Sequence, residues 1–242
     1  MFAATLFDYN GVLVDDEAVH LAAFRATLDP RGIAVDESTY WARYIGFDDV
    51  GAFRAMLVDA GREAPDALVA ELVEAKRPLY MQRASAGLKL FDGAAEKLRS
   101  CSLRGAVGVV SGALRDEIEL GLVLLGVRDL VSFVVSAEDT SRCKPDPEGY
   151  EKGLALLGGI PRDQVVVIED SVAGVRAAKA ANLACVGVAH SYPAAALSEA
   201  GADLGRQPDP LHLAAAERAA LAVERQVAEA DLVEKLQALP HL

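Results

Sequence analysis

Near its N-terminus the chain reads ATLFDYNGVLVD from Ala4 to Asp15. The apolar run from Thr5 to Phe7 predicts a short, buried parallel strand, because strands covered on both faces are apolar throughout. Asp8 then lies at the carboxyl end of strand one. In doubly wound α/β sheets that end faces the ligand-binding crevice, so Asp8 is a candidate nucleophile or metal ligand. An acid and a glycine after an apolar run are also ordinary turn chemistry, so this segment alone leaves both interpretations open.

The composition of the chain argues against several classes of function. The length of 242 residues suits one large domain, or a core with a smaller insert, and 52% hydrophobic residues suit a globular protein. A net charge of -12 argues against nucleic acid and against an anionic membrane surface as partners. The early strand leaves no room for a signal peptide and no apolar run could span a membrane, so we expect a cytoplasmic protein. Three cysteines without metal-ligand spacing, Cys101, Cys143 and Cys185, predict reduced structural thiols.

Further along the chain, polar residues follow other apolar runs. Ser111 and Gly112 come after the strand predicted at 106–110, where a hydroxyl and free N–H groups suit an anion. Serine before a helix is also a common N-cap. Lys144 precedes a Pro-Asp-Pro turn, which should hold the lysine on a stiff loop close to the next helix. A lone lysine is more often solvated, but the stiff loop before a helix favours a functional role for Lys144.

The most strand-like run of the chain, 165–168, ends at Glu169 and Asp170. Two adjacent acids at a strand end, close to Asp8, would form an oxygen-rich pocket suited to Mg²⁺. Between strand one and this β/α alternation, residues 15–85 have helical patterns without an intervening strand. We therefore expect a parallel-sheet core interrupted by a helical block.

The four polar segments, in this order, resemble the four motifs of the haloacid dehalogenase (HAD) superfamily. The segment from Ile168 to Ala178 is similar to the fourth motif of the branch that contains beta-phosphoglucomutase and small sugar-phosphate phosphatases. The resemblance implies an α/β fold with a Rossmann-like parallel sheet core and an inserted all-helical cap domain. The implied boundaries are 1–14 and 86–242 for the core and 15–85 for the cap, with a C-terminal helical extension at 210–242. That extension could pack on the core or form a dimer contact, so the expected state is a monomer or homodimer.

By the same resemblance, Asp8 attacks phosphorus to form an aspartyl-phosphate, in a reaction that depends on Mg²⁺. The phosphoryl oxygens would be held by Ser111, Gly112 and Lys144. The metal would be held by the carboxylates of Asp8 and Asp170 and by the backbone carbonyl of Asn10, with Glu169 in support. The implied partner is a small phosphorylated metabolite, and the implied activity is that of a phosphohydrolase or phosphomutase.

Asn10 departs from the family pattern, which has aspartate at this position as the general acid and base. An amide transfers no proton near neutral pH, and the loss of such catalysis lowers rates by about 10² to 10⁴. We therefore expect slow turnover of alkyl phosphates and a smaller loss with acyl or aryl phosphates, whose leaving groups need little protonation. Asn10 could be an engineered change, or a natural trait of an enzyme that uses another acid.

Other interpretations of Asn10 change the class of function. The protein could be a non-catalytic phospholigand-binding member of the superfamily. HAD dehalogenases lack the second aspartate too, but they also lack the acidic pair that is present here. Phosphonoacetaldehyde hydrolases use a lysine of the cap as a Schiff base, and Lys76 is the only lysine in 15–85. In the same block, Tyr40, Trp41 and Arg43 are candidates for facing the substrate. The alternative is that the two aromatic rings pack between helices and that Arg43 is a surface charge.

Overall fold

A computed structural model describes residues 2–203 of the chain. The helical extension expected at 210–242 lies outside these residues. Contacts divide the chain into two compact units. An α/β unit begins at the N-terminus, runs to Val14 and resumes at Leu90, whereas Asp15–Lys89 forms a helical unit. None of the helices within residues 2–203 has an apolar stretch long enough to span a bilayer.

The strands and helices of both units are numbered in chain order. In chain order the strands within residues 2–203 are β1 (Ala4–Phe7), β2 (Val14–Asp15), β3 (Lys89–Leu90), β4 (Ala106–Val110), β5 (Phe133–Val135), β6 (Val165–Glu169) and β7 (Ala184–Gly187). The α-helices are α1 (Glu17–Leu28), α2 (Glu37–Thr39), α3 (Asp49–Asp59), α4 (Asp66–Gly87), α5 (Ala94–Ser102), α6 (Arg115–Leu124), α7 (Glu148–Leu156), α8 (Val172–Ala180) and α9 (Ala194–Ala200).

The α/β unit is built on a five-stranded parallel sheet with the order β5-β4-β1-β6-β7. β1 is central, and Phe7 at its end is paired with Val109 on one side and Ile168 on the other. The chain passes from β1 towards β4 and β5, and later fills the other side with β6 and β7. The strand order therefore reverses beside β1. Open α/β sheets bind ligands at such a reversal point. This architecture confirms the predicted α/β class with a Rossmann-like parallel core.

The strands form because both faces of the sheet are covered. Every residue of β6 is buried, which explains its continuous Val-Val-Val-Ile run. Tyr150 of α7 and Val175 of α8 belong to the same apolar cluster as Leu6 and Val167. The cluster holds the carboxyl ends of the central strands in fixed register. It therefore determines where the polar residues after these strands lie.

The helical unit has an aromatic core of its own. Phe24 of α1 packs edge-on against Phe53 of α3, with ring centroids 4.9 Å apart, and Tyr80 of α4 is fully buried. α4 continues to Gly87, two residues beyond the sequence-based end of the insert. β2 and β3, where the chain leaves and rejoins the α/β unit, pair as a two-stranded sheet.

Candidate active site

The ends of β1, β4 and β6 bring together polar residues that are far apart in the sequence. Asp8 follows β1, and its N–H donates to the carbonyl of Ile168 over 2.9 Å. Ser111 follows β4, and Glu169 and Asp170 stand at the end of β6. All four residues are buried. The register of the parallel strands thus aligns the first, second and fourth sequence motifs along one edge of the sheet.

Three carboxylates form an acidic cluster at this edge. Asp8, Glu169 and Asp170 each offer an oxygen, and these oxygens lie within 4.8 Å of one another. Burial and the charge of Glu169 raise the pKa of Asp8 to about 7, although Lys144 opposes this shift. Burial and the neighbouring carboxylates also raise the pKa of Asp170 well above its usual range. The cluster therefore carries more negative charge than its buried surroundings stabilise, and a hard divalent cation fits its oxygen donors.

Lys144 supplies a positive charge to the cluster. Its Nζ lies 2.9 Å from Asp8 Oδ1 and 2.6 Å from Glu169 Oε1, and it donates to the carbonyl of Val110. Burial disfavours the ammonium, but the two carboxylates outweigh burial and raise the pKa of Lys144 above its ordinary value. The side chain is therefore a fixed cation beside Asp8. The structure thus brings the third sequence motif to the same edge as the other three.

Glu169 is held by hydrogen bonds on both oxygens. Oε1 accepts from Lys144 and from the hydroxyl of Tyr150, and Oε2 accepts from the backbone N–H groups of Asp170 and Ser171. Although burial opposes ionisation, the Lys144 charge and these hydrogen bonds lower the pKa of Glu169. Its geometry suits a carboxylate that orients Lys144 and the turn carrying Asp170.

Asn10 and the serine turn lie side by side. The Ser111 hydroxyl donates to Asn10 Oδ1 over 3.3 Å and accepts from the N–H of Ala113 over 3.2 Å. Gly112 lies between these last two residues, in the turn that leads from β4 to α6. The amide of Asn10 therefore faces the hydroxyl that was predicted to hold a phosphoryl oxygen.

Two residues at this edge were missed by sequence reasoning. The turn after β7 carries His190 and Ser191, and Ser191 Oγ donates to Asp170 Oδ2. The Nδ1 atom of His190 lies 2.7 Å from the carbonyl oxygen of Gly11. Neither residue belongs to a motif. The one available signal was their place at the carboxyl end of a strand next to β6, and that neighbour relation is visible only in the folded sheet.

Lys76 lies in the helical unit, fully buried and bound to both carboxylate oxygens of Asp49 at 2.6 and 2.7 Å. A Schiff base requires an amine that is free to attack a carbonyl, whereas this amine is buried and engaged with a carboxylate. The contact therefore counts against the interpretation as a phosphonoacetaldehyde hydrolase. Of the candidate substrate-facing aromatics, Tyr40 is buried and hydrogen-bonded to Glu17, whereas Trp41 is 41% exposed.

Comparison with known proteins identifies the family. Residues 5–188 match the model of the haloacid dehalogenase-like hydrolases. A validoxylamine A 7'-phosphate phosphatase from Streptomyces hygroscopicus subsp. limoneus is 34% identical over 83% of this chain and 92% of its own length. The chain therefore belongs to the haloacid dehalogenase-like hydrolases, as the sequence motifs predicted, and it is a phosphatase-like member of that family.

Other relatives are consistent with this placement. A pyrophosphatase PpaX from Bacillus pumilus is 27% identical over 77% of this chain and 82% of its own length. The crystal structure of beta-phosphoglucomutase from Clostridium difficile superimposes with a TM-score of 0.70 and 23% identity, over 78% of this chain and 85% of that one. The structural likeness shows the shared fold, and the named relatives are enzymes of phosphate chemistry.

Proposed function

We propose that this protein is a Mg²⁺-dependent phosphohydrolase, or phosphomutase, that acts on a small phosphorylated metabolite through an aspartyl-phosphate. The observation that carries the proposal is the position of Asp8, a buried carboxylate with Lys144 Nζ 2.9 Å away and Asp170 beside it. A buried carboxylate held against a lysine at the ligand-binding edge of a sheet is suited to attack an anionic phosphoryl group.

In this reaction an oxygen of Asp8 forms a bond to phosphorus, and the bond from phosphorus to the leaving oxygen breaks. Lys144 offsets the repulsion between the carboxylate and the phosphoryl oxygens, and the Ser111 hydroxyl and the Gly112 N–H hold those oxygens. Attack of water on phosphorus then releases phosphate and restores Asp8. Transfer to a second hydroxyl, in place of water, would give the mutase outcome.

The metal site would be formed by Asp8, Asp170 and the backbone carbonyl of Asn10. When bound, Mg²⁺ would neutralise charge on the phosphoryl group during transfer. Glu169 would act by holding Lys144 and the Asp170 turn, because both of its oxygens already accept hydrogen bonds. The backbone contribution of residue 10 does not depend on its side chain, so the substitution by asparagine leaves the proposed metal site complete.

Asn10 sets the preference for substrates. Its amide has no proton to give to the leaving oxygen, so the first step should favour substrates that leave as stable anions. Turnover of sugar phosphates should be slow. The relative with 34% identity is named for action on validoxylamine A 7'-phosphate. We therefore include validoxylamine A 7'-phosphate among the substrates proposed for this chain.

The test is phosphate release with Mg²⁺ from acetyl phosphate, p-nitrophenyl phosphate and a panel of sugar phosphates. We expect Asn10→Asp to raise the rate on sugar phosphates by about 10² or more and the rate on acetyl phosphate by much less. The matched control is Asp8→Asn, which should abolish release in both backgrounds. Release that persists in Asp8→Asn would contradict the role of Asp8.

The alternative proposal, a non-catalytic phospholigand-binding protein, makes a different prediction for the same panel. Neither the chain as it stands nor the Asn10→Asp variant would then release phosphate, whereas both would bind a phosphorylated ligand in the presence of Mg²⁺. Phosphate release by the Asn10→Asp variant distinguishes the two functions, and calorimetric titration with compounds of the panel measures the binding that the alternative requires.

A further inference from the structure

The turn after β7 contacts the active-site edge at two separate points. His190 contacts the carbonyl of Gly11, in the turn that follows Asn10, and Ser191 contacts the carboxylate of Asp170. The proposed chemistry uses neither side chain. The Ser191 contact nevertheless reaches Asp170, a proposed metal ligand, and the His190 contact reaches the residue that follows Asn10, whose carbonyl is the proposed backbone ligand.

The imidazole of His190 is fixed on two sides. Because a carbonyl oxygen can only accept, Nδ1 must carry the hydrogen in its 2.7 Å contact with Gly11. The ring stacks on Phe91, with centroids 4.1 Å apart and 14° between the planes. Phe91 is itself buried, and its N–H donates to the carbonyl of Leu13 in the same turn region. The side chain of His190 is therefore held in the orientation that the hydrogen bond requires.

Gly11 packs directly against the acidic cluster. Its φ of +71° is one that other residues rarely adopt, and a Cβ at this position would lie 1.9 Å from Asp170 Oδ2. The same Cβ would lie 2.9 Å from Ser191 Oγ. The Gly11 backbone, the Asp170 carboxylate and the Ser191 hydroxyl are thus in mutual contact, so a shift of one displaces the others.

We propose that His190 and Ser191 are positioning residues for the metal site. His190 fixes the Gly11 carbonyl, and through the adjoining peptide it orients the carbonyl of Asn10. Ser191 holds one oxygen of Asp170, which leaves the other oxygen to bind a cation. The inference rests on the proposed function, because it assigns these residues to the site that would bind Mg²⁺. The two residues would thus hold the metal site in place although neither belongs to one of the four motifs.

The experiment compares four variants of the full chain. His190→Phe keeps a ring that can stack on Phe91 but removes the donor, whereas His190→Asn places an amide N–H near the position of Nδ1 and removes the ring. Ser191→Ala removes the hydroxyl and Ser191→Thr keeps one. The affinity for Mn²⁺, used as the probe metal, is measured by electron paramagnetic resonance, and amide hydrogen exchange at 11–14 is measured without metal.

We expect His190→Phe and Ser191→Ala each to weaken Mn²⁺ binding by about 10-fold, as is usual when a group that orients a ligand is lost. His190→Asn and Ser191→Thr should stay within about threefold of the parent chain. In the absence of metal, His190→Phe should speed exchange at 11–14 and His190→Asn should restore slow exchange. If His190→Phe and His190→Asn lose Mn²⁺ affinity to the same extent, the role assigned to the hydrogen-bond donor is wrong.

The failure of this inference is distinguishable from failure of the proposed function. If the parent chain binds Mn²⁺ and all four variants bind it equally well, the positioning role is wrong and the metal site stands. If the parent chain binds no more Mn²⁺ than Asp170→Asn, the metal site itself is wrong and the inference falls with it. Ser191→Ala keeps the test decisive even if His190→Phe does not fold.

Discussion

The charge balance of the candidate site depends on a single residue, Lys144. It is the cation that the structure places between Asp8 and Glu169, two buried carboxylates that would otherwise face each other. Removing one partner of a buried ion pair leaves an uncompensated charge, which is costly. The contribution of Lys144 to stability can therefore be measured separately from its proposed role in catalysis.

We predict that Lys144→Met lowers the free energy of unfolding by about 3 kcal/mol at pH 7 without metal. Glu169 has a lowered pKa in the folded protein, so the contribution of the pair is present above the ordinary glutamate pKa and is lost as the pH falls. The difference between the two proteins should therefore hold from pH 7 down to about pH 4.5 and shrink only as the pH falls further, towards the lowered pKa of folded Glu169. Urea unfolding measures it, and the control Lys89→Met, at an ion pair with Asp15 that is exposed on both sides, should change little.

Among single residues of the candidate site, sequence reasoning identified those that belong to a motif and missed those that do not. Asp8, Ser111, Lys144 and Asp170 follow strands or stand before helices, so local patterns located them. His190 and Ser191 have no such pattern. Their proposed role depends on β7 lying beside β6, and a linear sequence does not show which strands are neighbours.

At the scale of elements, α8 begins against the site. A Cβ at Gly174, in its first turn, would lie 1.7 Å from Glu169 Oε1, the oxygen that binds Lys144. The close approach of the helix to the carboxylate therefore requires a residue without a side chain. The glycine is a packing requirement that the motif alone does not explain.

We predict that Gly174→Ala lowers the free energy of unfolding by about 1–3 kcal/mol, because the added methyl group displaces the Glu169 carboxylate. Phosphate release should fall in parallel, since Lys144 loses its partner. The control is Gly87→Ala at the end of α4, where a Cβ meets open space and stability should hold or rise slightly. Equal stability of Gly174→Ala and the parent would contradict the packing argument.

α5 carries a lysine in an unfavourable place. Lys97 is 4% exposed, and burial lowers its pKa to about 8. Below pH 8 the folded protein bears the cost of a buried charge. Between pH 8 and the ordinary lysine pKa the unfolded chain binds more protons than the folded one, so stability rises with pH.

We predict that Lys97→Met is more stable than the parent at pH 7 and that the parent gains about 2 kcal/mol relative to it by pH 10. Chemical denaturation across this range measures the difference. Parallel stability curves for the two proteins would show that the ammonium remains solvated in the fold.

The strands of the large sheet were predictable because parallel strands are continuous apolar runs, and the run 106–110 matches β4. β2 and β3 were not predicted. Each has two residues, and their pairing joins segments on either side of the helical unit. Such short strands have no periodicity of their own, so only the tertiary structure reveals them.

At the scale of the whole molecule, the carboxylates of the proposed metal site belong to one unit. Asp8, Glu169 and Asp170 all lie in the α/β unit, and Asp15–Lys89 contributes none of these carboxylates. A ligand that binds only the folded form stabilises the part of the protein that forms its site.

We predict that Mg²⁺ at 100 times its dissociation constant stabilises the α/β unit by about 2.7 kcal/mol. The corresponding rise in its unfolding temperature is roughly 5–10 °C. Calorimetry with and without EDTA measures this shift, and a separate transition of the helical unit, if resolved, should not move. Asp170→Asn should abolish the shift, and a shift of the same size in that variant would argue against the site.

The central position of β1 has a consequence for biosynthesis. β1 is among the first segments to leave the ribosome, yet its two neighbours begin at Ala106 and Val165. At typical elongation rates the second neighbour follows on the order of 10 s later. The contacts of Asp15–Lys89 are complete long before then, so the inserted unit can fold while the nascent sheet still lacks its later strands. Asp8, the proposed nucleophile, is thus among the first residues synthesised, but its surroundings are complete only when the last strands arrive.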